Sequence, residues 1–313
     1  MIMRPKSSII WSPKKIPLDV CLLLLLLAIN CSGNRNFFDD TEAPEFNNED
    51  WMKEIPDNTL LSAVNIPGTH DSLSLYCTRL AICQSWTLDK QLQAGIRFLD
   101  VRIQCFPLCG DPVICHGITP QFDWFSNVVK VVMNFLQAHK KETVVMRLKA
   151  ELCETGVNTL VKVKNMLNNN GAAGALWEST DVPKMRQVRG KLVILQEFSG
   201  ETQWIKYDSL DIGDDYQVQN INEKWTSVQN HLNSAIQGDK EKLFLTFSSG
   251  TGISATQIIC ALCPHHVAQT INNKLFDYLP TLASNKNRLG IIAMDFPSAQ
   301  LIQKIIELNQ QTN

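Results

Sequence analysis

The chain has 313 residues, of which 44% are hydrophobic and 19% charged, a composition that excludes a disordered protein. A formal net charge of −2 at pH 7, with no run of like charges, argues against binding to nucleic acid through a basic surface. The length is sufficient for one large α/β domain.

Residues 1–33 are predicted to be a cleaved signal peptide. Lys14 and Lys15 precede an apolar run from Val20 to Ile29, and the small segment Cys31–Gly33 supplies a plausible cleavage site. The apolar run is shorter than the roughly 20 residues that a transmembrane helix needs. A secreted, extracellular protein is therefore expected, and a signal anchor is the less favoured alternative.

Cysteine usage is consistent with export. Ten cysteines are present, and removal of the signal peptide leaves Cys77, Cys83, Cys105, Cys109, Cys115, Cys153, Cys260 and Cys263. An even number of cysteines in an exported chain predicts disulfides, although the sequence does not reveal their pairing. Zinc ligation by the Cys260–His266 segment is the disfavoured alternative, because the spacing of a repeated zinc finger is absent.

The predicted secondary structure is that of repeated βα units after a polar lead-in, residues 34–50. The predicted strands are Leu61–Asn65, Phe98–Ile103, Val113–His116, Thr143–Lys149, Leu192–Glu197, Tyr216–Asn220, Leu243–Ser248 and Gly290–Phe296. The predicted helices are Leu88–Ala94, Phe125–His139, Gly156–Asn168, Lys224–Ile236 and Ala255–Leu279. This alternation predicts a single-domain α/β protein, a somewhat irregular TIM-type (β/α)8 barrel over residues 51–313.

Polar residues recur at the same end of nearly every predicted strand. In chain order they are His70 with Asp71, Asp100 with Arg102, His116, Arg147 with Lys149 and Glu151, Glu197, Asp214 with Tyr216, and Asp295. The active site of a TIM barrel is built at the C-terminal ends of its strands, so we expect these side chains to converge. A single histidine at a strand end is more often structural, and the prediction depends on the joint occurrence.

Asp100 and Arg102 are two residues apart and therefore point to the same face of their strand. Apolar residues occupy the alternate positions, so the polar pair is expected to face the barrel interior. A charged group there must be paired with an opposite charge or serve a function. Two histidines with a fixed cation suit phosphodiester cleavage by an internal hydroxyl. One imidazole takes a proton, the other gives one, and the cation stabilises the charge on phosphorus-bound oxygen.

Three segments resemble the X domain of phosphatidylinositol-specific phospholipase C, of the small bacterial type. They are Asn65–Ser72 (NIPGTHDS), Gly95–Arg102 (GIRFLDVR) and Cys115–Gly117 (CHG). The resemblance continues through residues 189–195, 214–216, 245–250 and 290–296, and thus covers the chain from about Trp51 to its end.

This resemblance implies that His70 is the general base on the inositol 2-hydroxyl and that Asp295 orients it. It implies that His116 is the general acid to the diacylglycerol oxygen, with Asp71 as its partner. The product would be inositol 1,2-cyclic phosphate.

Arg102 would hold the phosphate, and Asp100 would position either Arg102 or the base. An arginine at this position supplies positive charge and would repel calcium, so we expect catalysis without a metal or other cofactor. The same arginine disfavours the alternative of a metal-dependent glycerophosphodiesterase-type barrel. A secreted binding module with weak or no turnover is the other alternative.

Lys149, Asp214 and Tyr216 would line the inositol site. Glu197 departs from the family pattern, which has a basic residue there, and would accept hydrogen bonds from sugar hydroxyls while disfavouring a phosphorylated inositol. The expected partner is a phospholipid at a membrane surface, contacted peripherally. The segment Gly252–Cys263 is either an apolar rim that touches the membrane or, as we favour, the buried face of the next helix.

Overall fold

The computed structural model describes residues 37–106, 109–153, 158–252, 263–283 and 287–310. The predicted signal peptide lies outside these residues. Residues 253–262, most of the segment Gly252–Cys263 whose role was left open, also lie outside the described residues.

The described residues form one curled sheet whose main path is parallel throughout. Its strands are β1 (Ile66–Thr69), β2 (Phe98–Cys105), β3 (Val113–His116), β4 (Thr119–Trp124), β5 (Val144–Cys153), β6 (Leu192–Glu197), β7 (Ile205–Lys206), β8 (Asp211–Gly213), β9 (Phe244–Phe247) and β10 (Ile291–Met294). The path runs β7-β6-β5-β2-β1-β10-β9-β8. This arrangement confirms the predicted α/β barrel, and it is irregular, since no ladder joins β7 to β8 among the described residues.

Helices cover the outside of this sheet. They are Leu88–Ala94, Phe125–Ala138, Thr159–Asn169, Met185–Val188, Ile221–Gln237, Pro264–Ala283 and Ala299–Glu307. The last was not predicted, although Leu301, Ile302, Ile305 and Ile306 form a buried face. In the part of the chain that the structure describes, no helix has the length and apolar character required to cross a bilayer.

The predicted first strand, Leu61–Asn65, was wrong. A short 3-10 helix occupies Leu61–Ala63, and the strand is β1, which contains Pro67 and Gly68. Proline and glycine normally argue against a strand. Here a Cβ on Gly68 would lie 2.6 Å from the ring of Phe98, so only glycine lets β1 approach β2 this closely.

Two further strand predictions were also wrong in part. β3 is not a barrel strand: it pairs antiparallel with β2 and with β4, so that β5 lies directly beside β2. The predicted strand Tyr216–Asn220 is replaced by β8, and only Gln217 makes an isolated bridge, to Thr251.

The predicted disulfide framework is not confirmed. Cys77, Cys83, Cys109 and Cys263 carry free thiols in the structure. Cys260, on which the alternative zinc site depends, lies outside the described residues, and His265 Nε2 pairs with Asp40 Oδ2 at 3.1 Å.

A buried ion pair fixes the lead-in to the end of the barrel opposite the strand C-termini. Arg97 Nε lies 2.8 Å from Glu142 Oε2, and both side chains are fully buried. Arg97 Nη2 also donates to the Glu49 carbonyl, and Glu142 Oε1 accepts from the Met52 amide. Part of the predicted loose lead-in is therefore anchored to the barrel.

Replacing Arg97 by Ala is expected to lower the free energy of unfolding by about 3–5 kcal/mol, because Glu142 would remain buried without its partner. Urea denaturation measures this change. Arg186→Ala is the matched control: Arg186 bonds to Asn58 at the surface, where such contacts contribute little. Equal losses in the two variants would contradict the prediction.

Candidate active site

A cavity of about 380 Å³ opens at the C-terminal ends of the parallel strands. Seven of the ten predicted site residues line it: His70, Arg102, His116, Lys149, Asp214, Tyr216 and Asp295. Asp71 and Asp100 are almost completely buried next to this cluster. Glu197 is not among the described residues that line the cavity.

The turn after β1 carries His70 and Asp71, and their side chains contact different partners: His70 pairs with Asp295, and Asp71 lies beside His116. The buried side chain of Gln84 donates from Nε2 to the carbonyl oxygens of His70, at 2.7 Å, and Met294, at 2.9 Å. The Asp71 amide donates to Asp100 Oδ2 at 3.0 Å, and Asp71 has φ +36°. A turn whose backbone is strained and held by hydrogen bonds in this way keeps its side chains in fixed directions.

The contacts of His70 define which of its ring nitrogens carries the proton. Arg102 Nη2 lies 2.8 Å from His70 Nε2, and a guanidinium can only donate. Nε2 therefore holds a lone pair, and the proton is on Nδ1, which donates to Asp295 Oδ1 at 2.8 Å. The imidazole is a neutral base whose acceptor nitrogen lies beside a fixed cation.

Opposing effects set the pKa of His70. Burial lowers it, whereas the charge and hydrogen bond of Asp295 raise it, and the net pKa is raised above 6.5. The second oxygen of Asp295, Oδ2, is buried and has no hydrogen-bond partner among the described residues. Asp295 thus acts mainly on His70.

His116 is anchored differently from His70. Its Nδ1 donates to the Ala81 carbonyl at 2.8 Å, with Ser74 Oγ at 3.2 Å and Asp71 Oδ2 at 3.3 Å. Nδ1 is fully occupied, so Nε2 is the nitrogen left for proton transfer. Burial raises the pKa of Asp71 although Arg102 and His116 both lower it.

Arg102 is held by carboxylates from three directions. Its guanidinium lies 3.1 Å from Asp100 Oδ2, 3.2 Å from Glu151 Oε1 and 3.6 Å from Asp71 Oδ2. Burial would raise the pKa of Asp100, but Arg102 and Arg147 outweigh it, and this pKa is far below its usual range. Asp100 is therefore a permanent anion that fixes the cation.

Arg147 is a cavity residue whose importance the sequence reasoning missed. Its Nη1 donates to Asp100 Oδ1 at 3.1 Å, and its Nε lies 2.5 Å from Glu197 Oε2. Glu197 lines a neighbouring cavity, and its predicted contact with the inositol stays a prediction. The signal was present, because Arg147 and Lys149 are two residues apart and share a strand face.

Lys149, Asp214 and Tyr216 also line the cavity. Lys149 Nζ lies 3.0 Å from Glu151 Oε1, so the ammonium is presented beside a carboxylate. The Asp214–Tyr216 loop is braced by Lys224, whose Nζ donates to the Asp215 carbonyl at 2.8 Å. Burial lowers the pKa of Lys224 to about 8, and this interior lysine was not predicted from the sequence.

Two overlapping sets of side chains could hold a metal ion. His70, Cys83 and Asp295 form one set, and Asp71, Cys83 and His116 form the other, with the donor atoms of each set within 4.8 Å. Burial raises the pKa of the shared Cys83 thiol well above its usual value. A divalent cation would also lie close to the Arg102 guanidinium, which repels it.

Comparisons with known proteins agree with this geometry. Residues 64–198 match the family model of the phosphatidylinositol-specific phospholipase C X domain. The 1-phosphatidylinositol phosphodiesterase of Listeria monocytogenes is 29% identical over 95% of this chain and 97% of its own length. A mouse protein described as PI-PLC X domain-containing protein 1 is 23% identical over 86% of this chain.

The solved structure of the phosphatidylinositol-specific phospholipase C from Listeria monocytogenes superposes with a TM-score of 0.73. It is 28% identical in sequence, and the match covers 84% of this chain and 98% of that one. A Staphylococcus aureus phosphatidylinositol-specific phospholipase C shares the fold, with a TM-score of 0.72 at 22% identity. The chain belongs to the phosphatidylinositol-specific phospholipase C family and is of the bacterial type.

Proposed function

We propose that the protein cleaves phosphatidylinositol into diacylglycerol and inositol 1,2-cyclic phosphate, with His70 as general base and His116 as general acid. The observation that carries this proposal is the different anchoring of the two imidazoles. His70 presents an unprotonated Nε2 beside Arg102, whereas the Nδ1 of His116 is tied to Ala81 and leaves Nε2 to act. Such a pair can take a proton at one side of a phosphate and give one at the other.

The proposed step transfers two protons around one displacement at phosphorus. His70 Nε2 removes the proton of the inositol 2-hydroxyl, and that oxygen bonds to phosphorus. The bond from phosphorus to the diacylglycerol oxygen breaks, and protonated His116 gives its Nε2 proton to this leaving oxygen. Asp295 stabilises the imidazolium formed at His70, and Asp71 stabilises the one consumed at His116. A proton moved from His70 to His116 restores the starting state.

Arg102 supports catalysis without a metal. It lies beside the base and among three carboxylates, where it can bind the non-bridging phosphate oxygens and stabilise charge as it develops. The carboxylates of Asp71 and Glu151 already interact with the Arg102 guanidinium. Lys149, Asp214 and Tyr216 are proposed to bind the inositol hydroxyls.

Purified protein is expected to release inositol 1,2-cyclic phosphate from phosphatidylinositol micelles in excess EDTA, as followed by phosphorus NMR. His70→Ala and His116→Ala should each lower kcat by on the order of 10²–10⁴ or more, because each removes a proton-transfer group. His139→Ala is the matched control: its ring pairs with Asp50 at the other end of the barrel.

Activity that appears only when calcium is added would refute the assignment of Arg102. Equal losses in the His139 variant would show that the histidine effects arise from folding rather than from proton transfer.

Asp295→Asn is expected to shift the acidic limb of the kcat/KM profile to lower pH. His70 must be neutral to act, so turnover falls as the pH drops through its raised pKa, and removal of the Asp295 charge lowers that pKa. The plateau should fall on the order of 10²–10⁴, since the tautomer is no longer enforced. Initial rates between about pH 5 and pH 8 measure both effects. With Asp208→Asn as the control at an exposed carboxylate, an unshifted limb in the Asp295 variant would contradict this role.

We also propose that the protein is exported after removal of residues 1–33. The support is the order of three features in this segment: positively charged residues come first, a short apolar run follows, and small residues end it. N-terminal sequencing of protein recovered from the medium of expressing cells should begin at or near residue 34. A retained N-terminus in membrane-bound protein would instead identify a signal anchor.

A further inference from the structure

The two histidines belong to different parts of the fold, and a short stretch of chain, residues 81–84, contacts both parts. His70 follows β1 in the barrel, whereas His116 ends β3, which pairs with β2 at Ile103 and Gln104. The ring of His116 therefore needs further contacts to hold it at a fixed distance from His70. We call residues 81–84 the bridging segment.

The first residue of the bridging segment holds the ring of His116. The Ala81 carbonyl accepts from His116 Nδ1 at 2.8 Å and from the buried Ser74 hydroxyl at 2.5 Å. Ser74 Oγ also lies 3.2 Å from His116 Nδ1, so its lone pair is a second acceptor for the same N–H. Asp71 Oδ2 lies 3.3 Å from this nitrogen. All three partners belong to residues 71–81 and not to the hairpin that carries His116.

The last residue of the bridging segment, Gln84, is bonded to the strand ends that carry the base and its carboxylate partner. The side chain of Gln84 is buried, and its Nε2 donates to the carbonyl oxygens of His70 at 2.7 Å and Met294 at 2.9 Å. These bonds lie where the ladder between β1 and β10 ends, and they use both hydrogens of the amide. Gln84 thus fixes the bridging segment to the barrel.

The middle of the bridging segment lies next to both imidazoles. The donor atoms of Cys83, His70 and Asp295 lie within 4.8 Å of one another, and so do those of Cys83, Asp71 and His116. The side chain of Cys83 is completely buried. The segment is therefore packed against the base and the acid at once, and its position sets the spacing between them.

The base has supports that the acid lacks. The His70 amide donates to the Met294 carbonyl at 2.9 Å, its Nδ1 donates to Asp295, and its Nε2 accepts from Arg102. The contacts given above for the His116 ring all come from the stretch of chain that Gln84 ties down. Release of that stretch should therefore displace the acid more than the base.

We propose that Gln84 is a positioning residue that holds the general acid, His116, at its working distance from the scissile bond. Gln84 contacts the backbone of the base, yet it acts on the acid through the bridging segment. This inference rests on the proposed function and adds to it a residue that sets the geometry of proton donation.

The test compares two soluble substrates that differ in how much they need the acid. Monomeric dibutyroyl phosphatidylinositol releases a basic alkoxide that must be protonated, whereas an inositol 4-nitrophenyl phosphate releases a stable phenolate. Gln84→Met is similar in size but cannot donate a hydrogen bond. It should lower kcat on the first substrate about 10- to 100-fold, part of the roughly 10²–10⁴-fold that a well-placed acid contributes. KM, and turnover of the nitrophenyl ester, should stay close to those of the unaltered protein.

Ser74→Ala is a second variant, because it removes the hydroxyl that lies between the Ala81 carbonyl and His116, and it should show the same selective loss. Gln196→Met is the matched control. Gln196 is also buried and bridges two backbone groups, the Glu201 carbonyl and the Gln203 amide, but it lines the neighbouring cavity. It should leave both rates unchanged. Equal losses on the two substrates in folded Gln84→Met, or no loss on the first substrate in both variants, would overturn the proposal. If circular dichroism shows that Gln84→Met is unfolded, Ser74→Ala decides by the same criteria.

Nuclear magnetic resonance of the imidazole N–H protons tests the geometry without turnover. The Nδ1 protons of His70 and His116, assigned with the two alanine variants, are both hydrogen-bonded and should exchange slowly with water. In Gln84→Met the His116 proton should exchange about tenfold faster, because its surroundings open more often, and the His70 proton should change little. An unchanged His116 proton would overturn the proposal. If the proposed function fails, the unaltered protein cleaves neither substrate, whereas the exchange result still supports the role of Gln84.

Discussion

Asp100 is completely buried, and its two carboxylate oxygens accept hydrogen bonds from different arginines, Arg102 and Arg147. A buried anion is stable only when it is paired and hydrogen-bonded in this way. The same carboxylate also accepts from the amide of Asp71, so the turn that carries His70 is fixed to β2. Asp71, the adjacent His70 and the Arg102 guanidinium are thus positioned by one carboxylate inside the barrel.

The positions of the main site residues could be predicted from the sequence because a parallel barrel obeys simple rules. Alternation along β2 places Asp100 and Arg102 on one face, and strand ends collect at one mouth of the barrel. His70 was found by that logic. His116 was placed by treating β3 as a barrel strand, and it lines the cavity although β3 belongs to a hairpin beside β2. Their different hydrogen bonds could not be predicted, since they depend on Gln84 and Ala81 in a loop whose conformation is set by tertiary contacts.

The errors of the sequence analysis have physical causes. β1 was misplaced because Pro67 and Gly68 oppose strand formation locally, whereas close packing against Phe98 requires the glycine. Glu197 was assigned to the inositol site through the family resemblance, and its ion pair with Arg147 could not be predicted from that resemblance. In each case the deciding contact joins residues that are distant in sequence.

The β3–β4 hairpin places His116 in a different structural module from His70 and Arg102. β5 pairs directly with β2, so the hairpin adds to the barrel without contributing to its closure. Insertions or replacements in the hairpin can change His116 and its surroundings while the register that fixes Asp100 and Arg102 stays the same. Changes in the hairpin can therefore alter the surroundings of His116 without rebuilding those of His70 and Arg102, which makes the hairpin a natural site for divergence and for engineering.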